Sequence, residues 1–162
     1  MAPKYLTIQL IRFLMFGLAC LAWVISILAQ SAIAQTEPLT KEVTVTLKDF
    51  SVHPDTTQAK VGRLTFEAVN EGRSTHELVI LRTDLRLTDL PRKEAKGQSG
   101  LVPEYLVDED DAQIDIVDEI EEFPSGTSQK KTVSLSPGRY VLFCNIPGHY
   151  DKGMHASIHI VQ

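Results

Sequence analysis

Cys144, His149 and Met154 stand at a Cys-x4-His-x4-Met spacing within the run Cys144-Asn145-Ile146-Pro147-Gly148-His149-Tyr150-Asp151-Lys152-Gly153-Met154. A thiolate, an imidazole and a thioether on one short loop are soft and borderline donors, which select copper over calcium or magnesium. A trigonal His2Cys site with a long axial Met is a one-electron centre, because it suits both oxidation states of copper and little has to move as the electron passes. The second imidazole must come from elsewhere in the chain. His76 is the best placed, since it ends the loop Asn70-Glu71-Gly72-Arg73-Ser74-Thr75 and opens the apolar run Leu78-Val79-Ile80-Leu81, which reads as a buried strand.

These residues, in this order, resemble the cupredoxins. The likeness is carried by Val69-Asn70-Glu71-Gly72 leading to His76, by Pro137-Gly138-Arg139-Tyr140-Val141-Leu142-Phe143-Cys144, and by the loop through Met154. Plastocyanin has a shorter Cys to His spacing and azurin a shorter His to Met spacing, so the rusticyanin and auracyanin type is nearer. The resemblance implies a single type 1 copper ion, cycling between Cu(I) and Cu(II), bound by His76, Cys144, His149 and Met154. It also implies that the His149 ring edge is the electron port. Glu77 departs from the family pattern, standing where plastocyanin and azurin carry an Asn that supports the site.

Around these motifs the apolar residues repeat with period two in short stretches. Val43, Val45 and Leu47 alternate with Thr44, Thr46 and Lys48, and the pattern returns at Leu64, Phe66 and Ala68, at Val133 and Leu135, at Tyr140 to Phe143, and at Ala156, Ile158 and Ile160. Turn signals separate the runs: Val52-His53-Pro54-Asp55, Val61-Gly62, Asn70-Glu71-Gly72, Ser125-Gly126 and Ser136-Pro137-Gly138. The expected fold is all-β, a Greek-key antiparallel sandwich. One stretch does not fit a minimal sandwich. Residues Glu104 to Glu122 hold ten carboxylates and no Lys or Arg, and read as an acidic insertion that Val107, Ile114, Val117, Ile120 and Phe123 pack onto the sandwich, with a helical turn or a short strand between which the periodicity does not decide. Asp108-Glu109-Asp110-Asp111 is no calcium loop, because Ala112 and Gln113 stand where an EF-hand needs an oxygen ligand and a glycine.

The N-terminus carries Lys4 and Arg12, then an uncharged run from Phe13 to Ala29, then Ala32-Ile33-Ala34. This is the pattern of a secretory signal over residues 1–34, leaving a copper-binding domain at 35–162 in the periplasm or outside the cell. The rival reading is an uncleaved anchor, the only route by which this chain would contact a membrane. Removal of the segment leaves Cys144 as the one cysteine, and an unpaired thiol in an oxidising compartment is a liability unless a metal occupies it. It also leaves 14 basic against 21 acidic side chains, a net charge of about −7. That charge excludes nucleic acid as a natural partner. It fits a basic redox partner, such as a cytochrome or a membrane oxidoreductase, although an acidic run is more often only a hydrated surface.

Enzyme chemistry finds little support. Cys144 and His149 lack a third orienting group for nucleophilic catalysis, the His-x-His pairs of a multicopper oxidase are missing, and no glycine-rich phosphate loop is present. Two functions remain: an exported electron carrier, or a module that stores, delivers or senses copper. Among the other histidines, His53 beside Pro54 reads as a turn residue. His155 and His159 share one strand face opposite Ala156, Ile158 and Ile160, so both are expected to face solvent, with a second metal site there as the alternative.

Overall fold

The period-two run of Val43, Val45 and Leu47 becomes strand β1, Glu42–Lys48, with all three side chains wholly buried and the intervening positions turned outward. Each such burial contributes about 1.5–3 kcal/mol, enough to fix the register of a strand with one wet face. The computed structural model describes residues 41–96 and 102–162, so the expected signal segment with its expected cleavage site and Gly97-Gln98-Ser99-Gly100 lie outside the described residues. Among the described residues no helix is long and apolar enough to cross a membrane.

The remaining strands are β2 (Ser51–Pro54), β3 (Gln58–Lys60), β4 (Gly62–Asn70), β5 (His76–Arg82), β6 (Arg92–Glu94), β7 (Tyr105–Val107), β8 (Asp115–Phe123), β9 (Ser128–Leu135), β10 (Gly138–Phe143) and β11 (His155–Val161). They form a four-stranded sheet in the order β2-β1-β4-β9, a five-stranded sheet in the order β3-β11-β10-β5-β8, and a separate β6-β7 hairpin. The core between the two large sheets is filled by Leu47, Leu64, Phe66, Leu78, Ile80, Tyr140, Leu142 and Ile158, with Cys144 and Met154 at its margin in sequence and wholly buried within it.

Three expectations are corrected. The sheets are mixed rather than purely antiparallel, because β1 pairs with β4 and β3 with β11 in parallel. His53 is no turn residue: it lies on β2 opposite Thr46, and Pro54 pairs with Val45 on an edge strand, where a missing N–H costs nothing. The acidic stretch is only half insertion. Asp115–Phe123 is the edge strand β8, paired antiparallel to β5, and Ile120 and Phe123 belong to the main core.

The other half of that stretch, with the chain before it, covers the outer face of the five-stranded sheet. Val79, Leu81, Val141, Phe143 and Tyr150 form a second cluster with Leu90 and Val107, flanked by Leu85, Leu87, Ile114 and Ile116. This explains why Leu78-Val79-Ile80-Leu81 is apolar at every position: even residues enter one cluster and odd residues the other.

Candidate metal centre

Asn70, the last residue of β4, builds the loop that presents His76. Its buried Nδ2 donates to the carbonyl oxygens of Ser74 (3.0 Å) and Phe123 (3.1 Å), and its Oδ1 accepts the Gly72 N–H (3.0 Å). Gly72 is required by close approach: a Cβ there would collide with His76 Nε2 and lie 2.8 Å from Asp49 Oδ1. His76 opens β5 at a register shift against β8, and its side chain is wholly buried.

Cys144 follows directly on β10, also wholly buried. The loop after it closes through backbone bonds from Cys144 N–H to Met154 O (3.1 Å), Met154 N–H to His149 O (3.1 Å) and His149 N–H to Ile146 O (2.9 Å). Gly148 takes a left-handed φ of 75°, which a glycine adopts at no steric cost. The hairpin holds this loop from outside. Gly148 N–H donates to Tyr105 O (2.8 Å), Lys152 pairs with Glu104 (3.2 Å), and Arg92 of β6 pairs with Asp151. Asn145 Oδ1 accepts the Val107 N–H (2.7 Å), while its Nδ2 donates to Val107 O (3.1 Å) and Glu109 Oε1 (2.8 Å).

The two strand ends therefore bring His76, Cys144 and His149 together, with one ligand atom from each lying within 4.8 Å of the others. Cys144 Sγ is 3.4 Å from His149 Nδ1 and 4.0 Å from His76 Nδ1, and the imidazole ring centroids are 5.2 Å apart. Met154 is wholly buried in the same cluster as Cys144, its backbone bonded to both Cys144 and His149. His149 is half-buried, its ring in edge contact with the exposed Phe50 at 6.2 Å, and Lys152 Nζ stands 5.2 Å over the Phe50 ring.

Burial sets the protonation of these groups. Desolvation pushes the His76 pKa down, against the opposing pull of Asp49, and pushes His149 down with help from His76 and Lys152. Neutral imidazoles are what metal ligation requires. Desolvation also pushes the Cys144 thiol up to about 11, although the backbone N–H groups of Glu77 and Ile146 oppose it. A thiolate forms here only when a cation replaces the proton, which copper does. Two neutral imidazoles, a buried thiol and a buried thioether fit copper as a donor set.

Glu77 bridges the two segments that carry His76 and Cys144. Its Oε1 accepts the Asn145 N–H at 2.7 Å, tying the start of β5 to the residue after Cys144. His159 is exposed, as expected, but His155 is half-buried: its ring packs on Tyr150 at a centroid distance of 4.7 Å, and its Nδ1 is buried without a hydrogen-bond partner among the described residues. The first residue of β11 lies against the ligand loop, where strand alternation no longer decides exposure. Among the described residues, the His/Cys/Asp/Glu grouping able to hold a metal is His76, Cys144 and His149, and neither His155 nor His159 belongs to it. Sequence reasoning passed over Asp49, Phe50 and Asn145. The only signal for Asn145 was a polar residue next to Cys144, and Asp49 and Phe50 gave none.

No protein-family model matches the chain, and no curated protein matches it by sequence. Solved structures do match it. An auracyanin from the photosynthetic bacterium Roseiflexus castenholzii, in its dithionite-reduced form, superposes with a TM-score of 0.56 at 19% identity, covering 77% of this chain and all of that one. Auracyanin B superposes with a TM-score of 0.50 at 17% identity, covering 78% of this chain and 93% of that one. The chain has the cupredoxin fold.

Proposed function

We propose that this chain is an exported blue-copper protein that carries single electrons between redox partners, with copper held by His76, Cys144, His149 and Met154. The convergence of both Nδ1 atoms on the buried Cys144 thiol carries this reading. Copper bound there supplies a one-electron Cu(I)/Cu(II) couple. The chain's own residues keep the imidazoles neutral, shield the sulfur from water and hold the ligand loop rigid through Asn145, Glu77 and the β6-β7 hairpin. The half-buried His149, beside Phe50, is the route by which an electron reaches the surface. A thiol raised to about 11 makes Cys144 a poor nucleophile, which supports a carrier rather than an enzyme.

Partners are read from charge. Lys93 pairs with Asp108 and Asp110, Lys131 with Asp118, and Lys152 with Glu104, so part of the acidic run is spent inside the fold. Asp115, Glu119, Glu121 and Glu122 stay on or near the exposed edge of β8, and this side is proposed to meet a basic cytochrome or a membrane oxidoreductase.

The test is the visible and EPR spectrum of the Cu(II)-loaded protein through cycles of reductant and oxidant. An intense thiolate-to-copper band with narrow hyperfine splitting, bleaching and returning reversibly, is the expected result. Electron exchange with a basic cytochrome is expected to slow as salt rises. A pale spectrum, or copper lost on reduction, would mean a storage or delivery module instead. Met154→Leu is expected to keep the colour while raising the potential, since the axial ligand tunes the couple without making the band. Potentiometric titration checks it, and a colourless variant would remove Met154 from the axial role.

A further inference from the structure

Asp49 occupies the turn between β1 and β2, far in sequence from every ligand, yet its carboxylate faces one of them. Asp49 Oδ1 lies 3.3 Å from His76 Nε2. That nitrogen is buried and makes no aligned hydrogen bond among the described residues, and the Asp49 carboxylate is the polar group that stands beside it. The same oxygen accepts the Arg73 N–H (3.0 Å) and the Ser74 hydroxyl (3.2 Å), both from the loop that presents His76. Gly72 keeps the space between them open, because a Cβ would intrude on the imidazole and the carboxylate together. The carboxylate is thus fixed by the loop it serves.

A carboxylate on the remote nitrogen of a ligand histidine fixes the tautomer and makes the imidazole a stronger donor. Here it does so from Nε2, which leaves Nδ1 facing Cys144 at 4.0 Å. We propose that Asp49 is a positioning residue of the copper centre, holding His76 in the Nε2–H tautomer and favouring the oxidised over the reduced state of the couple through its fixed negative charge. The inference rests on the type 1 copper reading. The charge sign sets the direction: a nearby anion stabilises the more positive state, and a one-third exposed carboxylate is screened but not silenced.

The rival explanation is that Asp49 only ties the β1-β2 turn to the His76 loop, and three readouts separate the two. Asp49→Asn, nearly isosteric, is expected to shift the Cu(II)/Cu(I) equilibrium toward Cu(I) about tenfold, which is 59 mV for a one-electron couple, while the thiolate band persists. Asp49→Glu, which keeps the charge, stays nearer the parent potential. In the metal-free protein, nitrogen NMR is expected to find His76 as the Nε2–H tautomer, and as a mixture in Asp49→Asn. A blue Asp49→Asn protein with the parent potential and an unchanged tautomer would overturn the inference and leave the copper reading intact. A parent protein without the thiolate band would overturn both.

Discussion

Cys144→Ser is expected to abolish the intense visible band that the proposed copper centre gives the loaded protein. The band is a charge transfer from thiolate to copper, so its carrier must be sulfur, and Cys144 is the only cysteine after residue 34. The substitution removes one heavy-atom identity and little else. Cys144 is wholly buried, and the new hydroxyl has His149 Nδ1, now 3.4 Å from Sγ, as its nearest partner, so the polar group is not left orphaned in the core. The fold is expected to persist, as far-ultraviolet circular dichroism would show. A serine hydroxyl is a harder and far less acidic donor, and any copper that still binds to His76 and His149 takes the pale spectrum of nitrogen and oxygen ligation. Absorption and EPR of the variant check this, and a variant that stayed blue would mean that the thiolate has been assigned to the wrong residue.

The candidate cluster was legible because its chemistry is local: Cys144, His149 and Met154 share eleven residues, and soft donors at that spacing have few other uses. His76 was legible for a different reason, since it sits where a glycine-containing loop meets an apolar strand. The strands whose one face is wet, such as β1, showed themselves by alternation. What failed to show was pairing direction, because alternation is the same in parallel and antiparallel strands, and the two parallel pairs join segments with no sequence mark of their orientation. Strand β8 was hidden by its own irregularity. Register shifts between His76 and Leu78 and between Ile80 and Leu81 break the period-two pattern, so Ile116, Val117, Ile120 and Phe123 read as scattered apolar residues in an acidic run. The turn at Asp49 and Phe50 was missed for a related reason. Pro54 nearby is the stronger signal of a turn, yet on an edge strand it is compatible with pairing, and Phe50, with φ of 66°, is not a residue that advertises a left-handed bend. Groups that act through the fold rather than through a motif, Asp49 and Asn145 among them, become visible only when distant segments are in contact.

Glu77 makes the metal-free protein lose stability as pH rises from about 4.5 to about 7. Burial is the main cause that lifts its pKa from 4.5 to about 7; the Asn145 N–H opposes the shift, and the charges of Glu109, Glu122 and Glu119 add to it. A carboxyl whose folded pKa is raised binds its proton more tightly in the folded state than in the unfolded chain. Its stabilising contribution is complete below about pH 4.5 and is lost as pH rises through 7. At 1.36 kcal/mol for each pKa unit the full span is at most about 3 kcal/mol, reduced where water reaches the partly exposed side chain. His76, His149 and His155 work in the other direction, since burial holds each below its ordinary value and their contributions grow as pH rises toward 6.5. The parent protein alone therefore mixes opposing slopes, and the informative quantity is the difference between it and Glu77→Gln. Glutamine keeps an oxygen for the Asn145 N–H, now at 2.7 Å, and carries no proton to lose. Urea unfolding of both metal-free proteins at pH 5 and pH 8 is expected to show Glu77→Gln gaining about 1–3 kcal/mol relative to the parent between the two. Parallel pH dependences would show that Glu77 ionises in the fold as easily as in water, and that the link from β5 to the Cys144 loop is a salt-tolerant carboxylate contact rather than a strained one.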